Sequence, residues 1–477
     1  DSSVVLFEGT PQGTPFDTAI EEYVFEYSGN SAELETGAVR LNMIPKSGSN
    51  TFSGGLYTDF SHSSWMANNV GQELIDRGLT GGKDGGVKLD QAWYVGPSLG
   101  GPIIEDRLWF FASFSFRRGS IVPANLFDNQ DTSGLLYVPD LGRPTIDRQD
   151  NYEGTIRPTW QVTSKDKLQA FWSNNHGSQV PSLTGSQLHP LYIAPEGGSH
   201  LITSANTYQV SWVRPQTNRI LFEAGIGLQP THLPLFALSP DAVRGQGRSS
   251  HRLKDARIDL PGTFEASTLT ISRNMGFLFH GTDAWFSTSN TSLRASMSYV
   301  TGSHNVKIGV NTNQKWQDVS YTGDHWTNYI TYFGNPISAR FSARPHVTNE
   351  IDRWGIYAQD QWTLDRLTVN AGLRFDYFNG AYPDHLAAAS RWAPEPRFFS
   401  GMTTMTWKDL QPRLGIVYDV RGDGRTAIKA SVSRYGDRTN LGLVDALNPA
   451  NANIAMSRSW FDGLNPFGIP GMPSCIP

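Results

Sequence analysis

The side chains with chemistry to perform in this sequence are arginines and carboxylates set into otherwise apolar segments. Arg294, Arg374 and Arg413, with Glu223, Asp376 and Asp419, fall on the polar parity of stretches whose alternate residues are mostly Leu, Ile, Phe, Tyr, Ala or Met. Successive strand residues point to opposite faces, so these charges share a wet face behind a greasy one. With Arg40 they would line a lumen, and plug-to-wall ion pairing suits them better than a substrate path, since charges enclosed by a protein wall need partners and pairing satisfies them without a ligand. Other candidates have plainer readings. The glycine-rich run 81–86 has no strand-to-helix context for a phosphate cradle, and Asp128, Asn129, Gln130 and Asp131 lack the EF-hand signature for Ca²⁺. Arg421, Gly422, Asp423 and Gly424 contain an adhesion-like tripeptide, but Asp-Gly between alternating strands is first a hairpin turn. The histidines show no HExxH spacing, and no Ser/His/Asp set has a nucleophile turn. The lone Cys475 can form neither an intrachain disulfide nor a Cys-based zinc site. No catalytic residue, cofactor or metal site is expected, and the chain does not read as an enzyme.

The elements that position these charges are strands. In 367–378, Leu367, Val369, Ala371, Leu373, Phe375 and Tyr377 alternate with Thr368, Asn370, Gly372, Arg374, Asp376 and Phe378. Similar alternation predicts strands at 52–60, 91–99, 107–117, 152–162, 167–175, 203–213, 219–229, 288–300, 305–315, 351–362, 412–420 and 425–435. Two fit less cleanly: Trp109 and Phe111 sit on a polar parity, and Asp360 sits on an apolar one. Connections alternate between short ones, at 101–106, 163–166, 215–218, 301–305, 363–365 and 421–424, and long ones, at 61–89, 119–151, 177–201, 230–286, 321–347 and 379–408. Short turns at one end and long loops at the other are the habit of an outer-membrane barrel, with the long loops extracellular. Trp109, Trp172, Trp212, Trp354, Trp362 and Tyr435 read as its interfacial aromatic girdle.

Composition agrees. Aromatics are 12%, charged residues 17% and glycines 47 of 477 residues, a mixture suited to many turns and two-faced strands. A net charge of −5 gives no electrostatic footprint for nucleic acid. No apolar run is long enough for a transmembrane helix, whereas a barrel strand needs only about 9–11 residues. The fold class is therefore all-β, a transmembrane antiparallel β-barrel with about thirteen strands in this chain. An odd count predicts that the remaining barrel strands follow Pro477, in the same polypeptide or in a cleaved partner, because bacterial barrels close with even numbers.

The texture changes over 37–57. Before it lie polar residues around one strand, 22–27, with a second at 37–43; after it the alternating segments begin. This is the pattern of a plug running into a barrel wall, with 1–50 the C-terminal part of the plug and 51–477 the partial barrel. Gly37, Arg40, Pro45, Lys46, Gly48 and Asn50 mark the plug–barrel junction, with Pro45 to Asn50 as the periplasmic turn and Phe52 opening the wall.

Ser31, Ala32 and Glu33, the run 37–42, and Lys46, Ser47, Gly48, Ser49, Asn50, Thr51 and Phe52 resemble the junction of Oar-like TonB-dependent receptors. Ser98, Leu99, Gly100, Gly101 and Pro102, followed by Trp109, Phe110 and Phe111, resemble that family's LGGP turn. Ile44 and Pro45 depart from its usual Val-Thr. The resemblance implies a complete barrel of about 22 strands, a Gram-negative-type cell outer membrane with its lipid, TonB as partner, and uptake or export of a substrate through the plugged lumen. The TonB box itself would lie before Asp1. An alternative is a structural or adhesive outer-membrane scaffold that docks other surface proteins through its loops; a soluble carbohydrate-binding sandwich is a third reading.

Overall fold

The computed structural model describes residues 17–26, 31–35, 37, 40–131, 137–182, 192–238, 262–272, 284–321, 326–343, 346–387, 389, 394–436, 441–451 and 454–459. Two short strands come first, β1 (Ile20–Glu26) and β2 (Arg40–Pro45), paired antiparallel with Phe25 opposite Leu41 and Tyr23 opposite Met43. The wall follows as β3 (Ser53–Ser61), β4 (Lys88–Ile104), β5 (Leu108–Val122), β6 (Asp147–Gln161), β7 (Lys167–Ser182), β8 (Ser199–Pro215) and β9 (Ile220–Ala237). It continues as β10 (Ala284–Thr301), β11 (His304–Tyr321), β12 (Val347–Leu364), β13 (Leu367–Tyr382), β14 (Met402–Asp419) and β15 (Ala427–Ser433). These thirteen strands form one sheet in which each pairs with its sequence neighbours, antiparallel throughout. They are the thirteen that alternation predicts. A meander is the topology that short turns dictate, since antiparallel neighbours need only a few connecting residues.

The sheet is dressed inside out. Phe114, Ile156, Ile226, Leu293, Ile356 and Leu373 stand exposed on the outward face, while Thr155, Arg157, Ser173, Arg374 and Gln411 are buried on the inward one. An exposed apolar band of this extent is untenable in water and required in lipid. Backbone groups are satisfied strand to strand, as a membrane demands. Among the described residues, the outer edges of β3 and β15 have no partner strand, and all of β3 is exposed.

Two features differ from the sequence reading. The strands run further toward the long connections than alternation indicates: β14 starts at Met402 rather than 412, and β6 at Asp147 rather than 152. Beyond the lipid no hydrocarbon imposes an apolar face, so the ladder continues after its two-faced pattern has faded. The long connections are not merely loops. Residues 192–193, 262–265, 270–272, 326–332 and 335–343, from three of them, and 454–459, after β15, build a separate six-stranded sheet. The stretch after β15 contains the helix Leu441–Leu447, whose Val444 packs on Ile351 and Phe378. Phe378, an aromatic on a wet parity, is thereby explained.

Candidate functional site

The two recognisable motifs meet. Asn50 accepts hydrogen bonds through Oδ1 from the backbone N–H of Asp106 at 3.0 Å and from Trp109 Nε1 at 2.6 Å, and donates through Nδ2 to Asp106 Oδ1 at 2.5 Å. Trp109 thus sits on a polar parity because its indole N–H serves the junction. Gly48 lies so close to the Phe110 carbonyl that a Cβ would collide with backbone, and Gly100 faces the Gly48 Cα. Gly101 leaves room for the Phe52 ring in the same way. The glycines of the turn and of the junction are one packing solution. Pro45 is buried, and its carbonyl accepts from Arg157 Nη1. Lys46 donates its backbone N–H to the Ala19 carbonyl at 2.9 Å. Gly37 admits the Tyr435 ring, where an added Cβ would lie 2.5 Å from Cδ2. Arg40 opens β2, and its side chain lies outside the described ones.

The charges converge on one short segment. Residues 31–35 lie against the inward face of β11 to β14, where four cations and several amides receive them. Lys307 Nζ sits 2.7 Å from Glu33 Oε2 and 3.4 Å from Glu223 Oε2; Arg353 Nη1 is 2.5 Å from Glu35 Oε2. Arg374 is wholly buried. It pairs with Asp376 through Nε at 2.8 Å and Nη2 at 2.6 Å, reaches Glu35 at 3.6 Å, and donates from Nη1 to the Ala32 and Glu33 carbonyls at 3.3 and 3.2 Å. Asn311 Oδ1 accepts from Arg374 Nη2 at 2.7 Å, while its Nδ2 donates to the Glu33 carbonyl at 3.2 Å. Arg413 donates to the Ser31 and Leu34 carbonyls, and its guanidinium lies 4.4 Å from the Tyr435 ring centre. Gln359 Oε1 accepts the Ala32 N–H at 2.8 Å. Gly355 leaves the space that Arg374 and Asp376 fill. Glu33, Glu35, Asp376 and Glu223 balance Lys307, Arg353, Arg374 and Arg413, which is what enclosed charges require.

Of the charges singled out in the sequence, Arg374, Asp376 and Arg413 belong to this cluster. Arg294 lies beside Gly225 on the inward face next to it. Asp419 does not join them: at the end of β14, its carboxylate accepts the backbone N–H groups of Arg421, Gly422 and Gly424. It holds the hairpin turn, in which Gly422 and Gly424 both stand at positive φ. Lys307, Arg353, Asn311 and Gln359 were missed, although each occupies the same inward parity. Trp109 and Tyr435 face inward and are not girdle, whereas Trp354 stands outward, stacked on Tyr377 at 5.4 Å. Asp360, the acid on an apolar parity, pairs with His304 at 2.6 Å near the short-turn end. Asp128 is engaged by Thr145 and Arg143, and Asn129 by Glu196; among the described residues no metal-type cluster occurs. Cys475 lies outside the described residues.

A family model described as an outer membrane beta barrel domain matches residues 124–467. The chain belongs to that outer-membrane β-barrel family. It is 21% identical over 511 aligned residues to the TonB-dependent transporter Oar of Myxococcus xanthus, covering 89% of this chain and 44% of the relative. Among solved structures, the outer membrane transporter YddB from Escherichia coli matches with a TM-score of 0.58 at 12% identity, over 91% of this chain and 50% of that one. The alcaligin outer membrane receptor FauA from Bordetella pertussis matches with a TM-score of 0.51 at 11% identity, over 87% and 50%. At such identities the structural likeness is one of fold. The chain spans about half the length of the relatives it matches. Its resemblance to Oar-like TonB-dependent receptors, read from residues 31–52 and 98–111, is the one the relatives return, and its place is the outer membrane of a Gram-negative-type bacterium. Relatives named as transporters and receptors do not favour the scaffold reading.

Proposed function

We propose that this chain is the end of the plug and the first part of the barrel of a TonB-dependent outer-membrane receptor that moves a substrate through its lumen. Residues 1–50 are the C-terminal part of the plug and 51–477 the partial barrel. The observation that carries this reading is the capture of residues 31–35 on the inward wall by Lys307, Arg353, Arg374 and Arg413. A segment so held closes the lumen at rest, and TonB, pulling on the plug from the periplasm, supplies the work that opens it. Further strands complete the wall from the free edges of β3 and β15.

The reading is tested in the full-length protein with Cys475→Ser as background. A Glu33→Cys/Lys307→Cys pair is expected to cross-link in intact cells, and deletion of residues 1–50 is expected to raise planar-bilayer conductance. Absence of the cross-link together with unchanged conductance would sink the plug assignment.

A further inference from the structure

Toward the long connections, the outward face of β3 to β7 carries an aromatic ladder. Phe60 lies opposite Trp93. Ring centroids then step from Trp93 to Phe116 at 4.7 Å, from Phe116 to Tyr152 at 4.7 Å, and from Tyr152 to His176 at 6.1 Å. Aromatic belts on barrels mark the level where hydrocarbon gives way to headgroups. Below the ladder, Val95, Phe114 and Ile156 continue the exposed apolar band.

Immediately beyond the ladder the chemistry changes. Arg118 follows Phe116 on the same face of β5, and Arg148 and Asp150 lie beyond Tyr152 on the same face of β6. Arg118 approaches Asp150 with Nε at 2.7 Å from Oδ1 and Nη2 at 3.1 Å from Oδ2. Arg148 approaches Oδ2 with Nε at 3.1 Å and Nη2 at 2.9 Å. The Arg118 guanidinium is also 5.6 Å from the Trp93 ring centre and 5.7 Å from that of Phe116. The triad of one carboxylate and two guanidinium groups carries one net positive charge, and the next acid is Asp90, which accepts from Ser120 Oγ at 2.7 Å, Ser120 lying opposite Arg148. Each arginine spends Nε and Nη2 on Asp150, and neither Nη1 has a hydrogen-bond partner among the described residues. Both side chains remain partly accessible, at 23% and 26%.

We propose that Arg118 and Arg148, fixed by Asp150 above the aromatic ladder, bind the phosphate of an outer-leaflet glycolipid on the outer surface of the barrel. Guanidinium forks match phosphate oxygens in shape and charge. Anchoring on Asp150 means that little side-chain freedom is lost when the phosphate arrives. The acyl chains then lie on Val95, Phe114 and Ile156, an apolar surface for which a free anion has no use. In a chain of net charge −5 the attraction is a local one.

The test uses the full-length protein in an uncharged detergent, with native mass spectrometry reading bound lipid. The probes are phosphorylated lipid A, the same lipid after dephosphorylation, and inorganic phosphate. Retention of the phosphorylated lipid, loss of the dephosphorylated one, and about thirty-fold weaker binding by the Arg118→Gln/Arg148→Gln variant are expected. Asp150→Asn is expected to keep or tighten binding, because both cations remain and the competing carboxylate is gone. If the triad merely ties β5 to β6, the two lipids bind alike and Asp150→Asn behaves as the double arginine variant does, which overturns the site. Competition by inorganic phosphate at the lipid's own concentration likewise overturns a lipid site in favour of a free anion. Native heat-resistant migration in gels verifies folding; should the double variant fail to fold, Asp150→Asn and the dephosphorylated lipid decide.

Discussion

Arg374 carries the most concentrated chemistry in the molecule. Its guanidinium is fully buried and divided among Asp376, Asn311, Glu35 and the carbonyls of Ala32 and Glu33. Removing one member of a buried ionic set strands the rest, at a cost of about 3–5 kcal/mol. Arg374→Ala is therefore expected to lower the urea midpoint of the refolded barrel by that equivalent. Arg374→Lys is expected to recover only part, since an ammonium cannot reproduce a fork with several fixed directions. Alternation alone puts Arg374, Asp376 and Arg413 on the inward face, and that much was legible. Their partners were not, because Ala32 is 342 positions from Arg374 in sequence and no local pattern reports such a contact. Asp419 shows the converse: its parity is right, but the last position of a strand answers to the turn's amides rather than to the lumen.

Among the elements, the long connections hold the least predictable contacts. Glu196, in the 3₁₀ turn Pro195–Gly197, is buried against the short strand Phe127–Asn129 and accepts from Asn129 Nδ2 at 2.5 Å. Burial pushes its carboxyl up to about 7, and Asp128 and Asp131 nearby push the same way. A carboxyl raised in the folded state stabilises it below the ordinary glutamate range and loses that contribution as pH rises through about 7. Protection factors of the amides of residues 127–129 and 195–197, taken relative to the intrinsic base-catalysed exchange rate, are expected to fall from acidic pH to above about 7, and Glu196→Gln to flatten that fall. Equal pH profiles for the two proteins would refute this. Nothing in the sequence announces the contact. Wall strands betray themselves because lipid on one side and water on the other impose a period of two. The six-stranded sheet has short strands, several paired in parallel across different connections, and carries no such imprint.

For the whole molecule, the edges of β3 and β15, which have no partner strand among the described residues, are the decisive feature. Unpaired backbone groups within a bilayer cost several kcal/mol each and must find strands. The 477-residue chain by itself in detergent is accordingly expected to associate edge to edge, with light scattering reporting multimers. The full-length protein is expected to stay monomeric under the same conditions. A monodisperse monomer of the shorter chain would count against open edges. Sequence by itself determined the thirteen wall strands, their up-and-down order and the inward parity of the charges, because each follows from a local period or from a turn between neighbours. Only the tertiary structure decided that residues 31–35 are what those charges hold, that Gly48 fits against Gly100, and that separate connections join in one sheet. Those contacts are made between residues far apart in the chain, where packing and charge compensation act and local periodicity has nothing to record.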